Sequence, residues 1–283
     1  MRIRLIIAIC LTFIFTCFTG CKGISDNGVK DIPTDTVAIK TITLCDSLAF
    51  TISHSNTCEV RAKVSIDYPD LFKDTETSQR LQKLYISDVL ELPDTLSIDS
   101  SAAQYLENIL SEYKSADDSE NTFFEPEDDV PADFMYKIFS NIAPCFNQSG
   151  ILSFSKADTT QKNDAVTKTK HAYYNIDLNT LSIIHLSQVI KSEFIDDVTN
   201  MLKRQLISQN HVKDESSLID LGYFNLDNLV ANDNFHVSTD GITWNYQPYE
   251  IACYSVGETE ITLSFESLKP FLVENSVVYN IIK

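Results

Sequence analysis

The sequence is poor in several residue types, with seven glycines, three methionines and one tryptophan among 283 residues. So few glycines argue against the glycine-rich loops that hold phosphate groups at helix N-termini. The sequence also has no HExxH zinc motif, no GxSxG nucleophile motif, no P-loop and no dinucleotide-binding fingerprint. We therefore expect a protein that is not an enzyme, with no cofactor, no metal site and no catalytic residues.

Basic residues are scarce too: 22 lysines and arginines stand against 40 aspartates and glutamates, which gives a net charge of −18. Residues 1–20 carry two of the basic residues and no acid, so the chain after them has a net charge of −20. This charge disfavours nucleic acid and anionic membrane surfaces as partners and attracts cationic proteins. Solubility beneath a crowded membrane explains the charge more simply.

Long apolar runs are also missing, because none approaches the eighteen or so residues of a transmembrane helix. The longest run, residues 5–18, follows Arg2 and Arg4 and is typical of a secretory signal peptide. It ends in Phe18-Thr-Gly-Cys21, which resembles the lipobox of bacterial lipoproteins. We therefore predict a signal peptide at residues 1–20 and a lipid on Cys21, which anchors the chain to a bacterial membrane. An ordinary secretory signal cleaved elsewhere is the alternative.

The residues after Cys21 bear on location. Lys22 stands where an aspartate marks inner-membrane retention in some bacteria, which indicates the outer membrane, with the domain facing the periplasm. Residues 21–38 are polar, turn-prone and without periodicity, so we predict a flexible tether. Four cysteines remain beyond it: Cys45, Cys58, Cys145 and Cys253. In an oxidising envelope they could form two disulfides in any of three connectivities, or stay as free thiols.

The apolar pattern predicts an α+β fold with antiparallel sheets packed by one long and several short helices. Residues 39–165 read as an N-terminal subdomain with paired strands, two helices, an acidic loop at 117–129 and further strands. A calcium site in that loop is conceivable, but the spacing of an EF-hand is absent, so a solvated linker is favoured. The longest helix is expected between Ser187, its N-cap, and Asn210, with an apolar stripe that runs from Leu186 to Leu206. Thr239-Asp-Gly-Ile242 predicts a hairpin with a tight two-residue turn.

Residues 235–257 and 261–272 resemble the C-terminal signature of a bacterial envelope domain of unknown function, the RsiV-like or PdaC-type domain. Residues 66–71 and 174–190 fit the same family more loosely, whereas 167–172 depart from its glycine-rich turn. This domain forms the extracellular part of lysozyme-sensing anti-sigma factors and accompanies the catalytic domain of a peptidoglycan deacetylase. The resemblance assigns residues 166–283 to the domain. It implies a partner such as lysozyme or a peptidoglycan fragment.

The best candidates for ligand contacts lie in one short segment after the predicted hairpin: Tyr246, Pro248, Tyr249, Glu250, Tyr254 and Gly257. Aromatic faces beside a carboxylate can stack on a sugar and hydrogen-bond to it, but core packing and a turn with positive φ explain the same residues. We expect a lipid-anchored binding or sensing module whose ligand is a cell-wall fragment or an envelope protein. A lysozyme-binding or lysozyme-inhibiting lipoprotein is the first alternative, and a hydrolase acting on peptidoglycan is the second.

Overall fold

The computed structural model describes residues 36–53, 56–115, 133–163 and 165–282. The predicted signal peptide, Cys21, most of the predicted tether and the acidic loop at 117–129 lie outside the described residues. Within them, two hydrophobic cores are present, one beneath the N-terminal helices and one around the C-terminal strands. No helix in the described part is long and apolar enough to cross a membrane.

The larger of two sheets has six strands that lie side by side in chain order. They are β1 (Ala38–Ser53), β2 (Asn56–Leu71), β3 (Asp133–Gln148), β4 (Ile151–Lys162), β5 (Lys168–Asp177) and β6 (Ser182–Ile183). All neighbours pair antiparallel except β2 and β3, which are parallel. Val60, Val64 and Ile66 alternate along β2 and are fully buried, as their spacing predicts.

Two helices make the crossover between β2 and β3 and cover one face of this sheet: α1 (Thr75–Leu84), extended by a π-helical turn (Tyr85–Val89), and α2 (Ile98–Ser115). Asp74 caps α1 by accepting a hydrogen bond from Thr77 N at 2.8 Å. Leu81 and Tyr85 fall on the buried stripe, and Tyr85 OH donates to Asp67 O at 2.7 Å. The helices predicted here from apolar spacing are confirmed.

The second sheet has three strands: β7 (Phe235–Val237), β8 (Gly241–Tyr246) and β9 (Thr259–Ser264). The helices of this half are short apart from α4; they are α3 (Leu186–Val189), α4 (Ile195–Gln209), α5 (Glu215–Ile219) and α6 (Phe265–Leu268). Every residue of β8 is buried, and Trp244 lies opposite Phe235 in the register. The α+β class is confirmed. The predicted boundary at 165/166 lies between β4 and β5, which are neighbours in one sheet.

The prediction of one continuous helix between Ser187 and Asn210 is wrong, and so is the N-cap at Ser187, which is the second residue of α3. The predicted end is confirmed, because Asn210 is the C-cap of α4. The chain leaves the helix at Ile190, which forms an antiparallel bridge with Leu272. Lys191 N donates to Phe271 O at 2.9 Å, so the C-terminal segment occupies the backbone groups that a continuous helix would use. α2, with 18 residues, is longer than α4, with 15.

The predicted tight hairpin is confirmed, since Ser238 N donates to Gly241 O at 2.9 Å around the two intervening residues. The glycine has a different role from the one expected of Asp-Gly. Its φ is not positive, but a Cβ at position 241 would lie 2.1 Å from Leu263 O. Gly241 is therefore needed for the close approach of β8 to β9. None of the four cysteines Cys45, Cys58, Cys145 and Cys253 forms a disulfide in this structure.

Candidate functional site

The predicted site residues occupy the end of β8 and the turn that follows it, residues 247–257, which we call the aromatic turn. Tyr246 is not on its surface. The side chain is fully buried, and its OH donates to Val230 O at 2.8 Å. Burial raises the pKa of Tyr246 well above the usual value for a tyrosine. Tyr246 is therefore a core residue with a satisfied hydroxyl.

The first half of the aromatic turn is held by Glu250. Its carboxylate accepts a hydrogen bond from Gln247 N at 2.8 Å, and its own N–H donates to Gln247 O at 3.0 Å. Pro248 and Tyr249 lie between these two residues, and Tyr249 N donates to Ala252 O at 2.9 Å. One oxygen of Glu250 thus fixes the backbone of the turn.

Tyr249 differs from its neighbours in exposure and conformation. Its side chain is 64% exposed, and its φ is 70°, in the left-handed region that bulky residues rarely adopt. The ring stacks on Tyr254 with centroids 5.8 Å apart and an interplanar angle of 28°. Tyr254 OH donates to Thr167 O at 3.0 Å, which ties the turn to the chain entering β5. Gly257 ends the turn with a φ of 81°, the positive φ that the sequence predicts there.

Two side-chain amides, those of Gln247 and Asn234, cover the free edge of β5, and we call them the carboxamide cap. His171 N donates to Gln247 Oε1 at 3.1 Å, and Gln247 Nε2 donates back to His171 O. Tyr173 N donates to Asn234 Oδ1 at 3.1 Å. An amide offers a donor and an acceptor side by side, so each amide can satisfy a strand edge as a neighbouring strand would. The cap joins the aromatic turn to the six-stranded sheet.

A partly buried ion pair lies beside the carboxamide cap. His171 Nδ1 is 2.6 Å from Glu258 Oε2, and each side chain is about one quarter exposed, at 26% and 25%. Asn245, which is fully buried, donates to the other oxygen of Glu258. The contact with Glu258 raises the pKa of His171 against the opposing effect of burial. Burial raises the pKa of Glu258, but its contacts with His171 and Asn245 outweigh this and leave the pKa below its usual value.

Next to this ion pair, Tyr173 OH donates to Glu260 Oε1 at 3.0 Å, and its ring lies 4.5 Å from that of His236. Burial lowers the pKa of His236. A cleft of about 620 Å³ opens along β5 and carries charges of both signs. Its ionisable lining residues are Asp88, Glu91, Lys156, Asp158, Lys170, His171, His185 and Asp233. Within the described residues, no group of histidines, cysteines and carboxylates is arranged to hold a metal ion.

Exposed apolar side chains concentrate near the aromatic turn. Of eight large hydrophobic residues exposed in the described part of the chain, five lie between positions 219 and 249: Ile219, Leu221, Phe224, Val230 and Tyr249. We call these five the apolar patch. The two segments that carry them are bonded together, because Cys253 N donates to Gly222 O at 2.8 Å and Phe224 N to Ile251 O at 3.2 Å. These hydrogen bonds place residues 222–224 beside residues 251–253 of the aromatic turn.

Sequence reasoning found the aromatic turn but missed its supports. The carboxamide cap and the pair of His171 with Glu258 join residues far apart in the chain, so local spacing does not reveal them. One signal was present: Thr243, Asn245 and Gln247 alternate with the apolar residues of β8. Polar residues at every second position of a fully buried strand predict a polar network on that face.

Part of the chain matches a family of unknown function. Residues 187–266 match the sequence model of the family described as protein of unknown function DUF3298. A search of curated proteins gave no match. Among solved structures, a DUF3298 family member from Bacteroides fragilis NCTC 9343 aligns with a TM-score of 0.66 and 18% identity, over 87% of this chain and 98% of the other.

A second DUF3298 family protein, from Pseudomonas aeruginosa PAO1, aligns with a TM-score of 0.51 and 12% identity, over 88% of this chain and 98% of the other. At these identities the similarity shows the fold alone. The matched segment runs from α3 to α6 and includes the whole aromatic turn. The chain therefore carries a DUF3298 domain at residues 187–266 and shares its fold with two solved members of that family.

Proposed function

We propose that this protein is a lipid-anchored binding module of the bacterial envelope, without enzyme activity, and that the aromatic turn and the apolar patch contact its ligand. A cell-wall fragment or an envelope protein is the ligand class that we favour. The observation that carries the proposal is Tyr249, a large aromatic residue that is mostly exposed and has a left-handed backbone conformation.

Core packing does not explain Tyr249. A left-handed conformation costs a non-glycine residue roughly 1–2 kcal/mol, and an exposed ring recovers little of that cost by burial. The surroundings hold the residue in place instead, through Glu250 on one side and Tyr254 on the other. Seven other described non-glycine residues also have a positive φ, so the exposed ring, rather than the conformation alone, distinguishes Tyr249.

The lipid anchor belongs to this proposal through the sequence around Cys21. Seventeen positions separate Cys21 from Ala38, where β1 begins. A chain of that length reaches at most about 60 Å when extended, at roughly 3.5 Å per residue. Such a tether would let the domain stand clear of the headgroups and meet ligands in the periplasm at the outer membrane.

A cationic protein such as lysozyme is the second candidate. Acidic residues interleave with the apolar patch, since Asp220 lies between Ile219 and Leu221 and Asp227 follows Phe224. Exposed apolar residues interspersed with acidic ones suit a basic partner with exposed hydrophobic side chains. The net charge of −20 for the chain after residue 20 would speed the encounter at low salt.

A hydrolase acting on peptidoglycan remains the third candidate, with less support. A hydrolase of this type needs two carboxylates that are free to act on the substrate. Both oxygens of Glu258 already contact protein groups, those of His171 and Asn245. Glu260 accepts a hydrogen bond from Tyr173. An assay for release of soluble fragments from purified peptidoglycan tests this candidate directly, and turnover above a boiled-protein control would favour it.

The test of the proposal is a binding titration of the chain from residue 22 onward against soluble muropeptides and, separately, hen lysozyme, at low and moderate salt. Tyr249→Ala should weaken binding at least tenfold, as loss of a central aromatic contact does. Phe139→Ala is the matched control, because Phe139 is an exposed aromatic residue of β3, outside the aromatic turn.

Saturable binding at moderate salt that is lost in Tyr249→Ala and kept in Phe139→Ala supports the proposal. The choice of ligand then separates a cell-wall module from a lysozyme-binding protein. Equal binding by the two variants would move the contact surface away from the aromatic turn. Binding to neither ligand would remove both ligand classes.

A further inference from the structure

The cleft along β5 is built by parts of the chain that are far apart in sequence. Asp88 lies in the π-helical turn that extends α1, and Glu91 follows that turn closely. Lys156 and Asp158 come from β4, and Lys170 comes from β5. The volume of about 620 Å³ is in the range of sites for small ligands. A cavity of this size with charges from several elements is a candidate binding site of its own.

Lys156 is the least exposed ionisable residue that lines this cleft. Its side chain is 14% exposed, and its Nζ lies 3.9 Å from Asp158 Oδ2, which is beyond hydrogen-bond distance. The other oxygen of Asp158 accepts a hydrogen bond from Ser140 at 2.5 Å. Burial acts to lower the pKa of Lys156, but Tyr105 and Asp158 outweigh this and leave the pKa above its usual value. The amine is therefore charged, mostly buried and able to donate to a ligand.

Two carboxylates stand at the rim of the cleft, those of Asp88 and Glu91, and both side chains are exposed. The π-helical turn presents Asp88, and such turns inside helices are frequent at functional sites. Tyr174 is within electrostatic reach of both signs of charge: burial raises its pKa, Lys156 lowers it and Glu91 raises it. A cation and a carboxylate act on the same side chain, so one short ligand can reach both.

Other ionisable groups of the cleft already have protein partners. His171 is paired with Glu258. Asp233 accepts a hydrogen bond from Leu186 N at 2.6 Å, and its other oxygen lies 3.5 Å from His185 Nδ1. The two lysines and the two carboxylates of the rim therefore remain for a ligand.

The signs of these charges limit what the cleft can hold. A neutral glycan would leave the ammonium of Lys156 without a counter-charge. A ligand with negative groups only would be repelled by Asp88 and Glu91, and the segment 116–132, which has seven acidic residues and no basic one, is disfavoured for that reason. A ligand that carries both a carboxylate and an ammonium group pairs with both signs.

We propose that this cleft binds a short peptide that has a free carboxylate and a free amino group. The carboxylate pairs with Lys156, and the ammonium group pairs with Asp88 and Glu91. The peptide part of a cell-wall fragment has this chemistry, and that choice of source rests on the proposed function. Gln247 lines the cleft and begins the aromatic turn, so one fragment can contact both surfaces.

The test is a calorimetric titration of the full-length protein in detergent with three forms of the tripeptide acetyl-Ala-Glu-Lys. The first form has free carboxylates and a free lysine amine, the second has its carboxylates amidated, and the third has its lysine amine acetylated. We expect the first form to bind saturably at moderate salt and each blocked form to bind at least about tenfold more weakly, because each loses a hydrogen bond between charged groups.

Two variants assign each end of the peptide. Lys156→Met keeps an apolar side chain of similar length, and it should no longer distinguish the amidated form from the free form. Asp88→Asn combined with Glu91→Gln should no longer distinguish the form with the acetylated amine. Asp99→Asn combined with Glu107→Gln is the matched control, because these exposed acids of α2 do not line the cleft and the same charge is removed. The control should bind like the wild type.

No binding of the free form, or equal binding of the free and amidated forms by the wild type, would overturn the proposal. So would a Lys156→Met protein that folds and still prefers the free form. Failure of the proposed function is distinguishable in a parallel titration with muropeptides. Binding lost in Tyr249→Ala but unchanged in Lys156→Met would keep the aromatic turn and overturn the cleft. Binding that depends on Lys156 and not on Tyr249 would support the cleft and count against the aromatic turn.

Discussion

Replacing Glu258 by glutamine tests whether the ion pair with His171 stabilises the fold, and in which pH range. His171 has a raised pKa, so its contribution is fully present below its unfolded pKa of about 6.5 and is lost as pH rises through the folded value. Glu258 has a lowered pKa, so its contribution is present above about pH 4.5 and is lost as pH falls through the folded value. The pair therefore stabilises most between about pH 4.5 and 6.5.

The size of the effect follows from distance and exposure. The two atoms are 2.6 Å apart, and each side chain is about a quarter exposed, so the pair is less screened than a surface salt bridge. Exposed pairs contribute 0.2–1 kcal/mol, and weaker screening places this pair at the upper end of that range, so we expect about 1 kcal/mol at pH 6. Glutamine keeps the shape and an oxygen for Asn245, which makes Glu258→Gln a test of charge.

The assay is urea unfolding of wild type and Glu258→Gln at pH 6, 7.5 and 9. The wild-type curve alone does not isolate the pair, because His236 has a lowered pKa and its contribution grows with pH over the same range. The difference between the two proteins removes that contribution, since His236 is present in both. The difference should shrink from pH 6 to pH 9. A constant or growing difference would refute the argument.

Three further substitutions have defined outcomes. Gly241→Ala should lower the free energy of unfolding by more than about 3 kcal/mol in urea titrations, because its Cβ would lie 2.1 Å from a carbonyl oxygen of β9, and near-wild-type stability would contradict the close approach. Tyr246→Phe should cost about 1–2 kcal/mol by the same assay, since it leaves Val230 O without its donor, and no loss would mean that water replaces the hydroxyl. Gln247→Ala should speed hydrogen exchange of the His171 amide, whereas the Tyr173 amide, which donates to Asn234, should keep its slow exchange. Unchanged exchange of the His171 amide would argue against the carboxamide cap.

The elements of the fold that depend on local spacing could be predicted from the sequence. Val60, Val64 and Ile66 alternate, and Leu81 and Tyr85 recur at helical spacing, so β2 and α1 follow from burial of one face. The break at Ile190 could not be predicted this way. Both α3 and α4 bury apolar residues in the same core, so the stripe is continuous, and no proline or glycine marks the interruption. It arises from pairing with Leu272, a contact far away in sequence.

The candidate site shows the same division. The aromatic turn could be identified because proline, glycine and closely spaced aromatic residues indicate a turn from their local sequence. The positive φ of Gly257 is possible because glycine lacks a Cβ. The exposure of Tyr249 could not be predicted, since Tyr246, two residues before the turn's proline, is fully buried. Tertiary packing alone separates these two tyrosines. For the same reason, the contact of His171 with Glu258 became visible only in three dimensions.

The parallel pairing of β2 with β3 has a consequence for the folding rate. About sixty residues, including α1 and α2, separate the end of β2 from the start of β3. Closing such a loop costs entropy before any strand contact forms, whereas the β1–β2 hairpin is local and can form early. Until β3 arrives, the edge of β2 that β3 covers in the native sheet stays open. If β3 pairs slowly with β2, partly folded chains can aggregate first. We therefore expect the refolding yield to fall as the protein concentration rises.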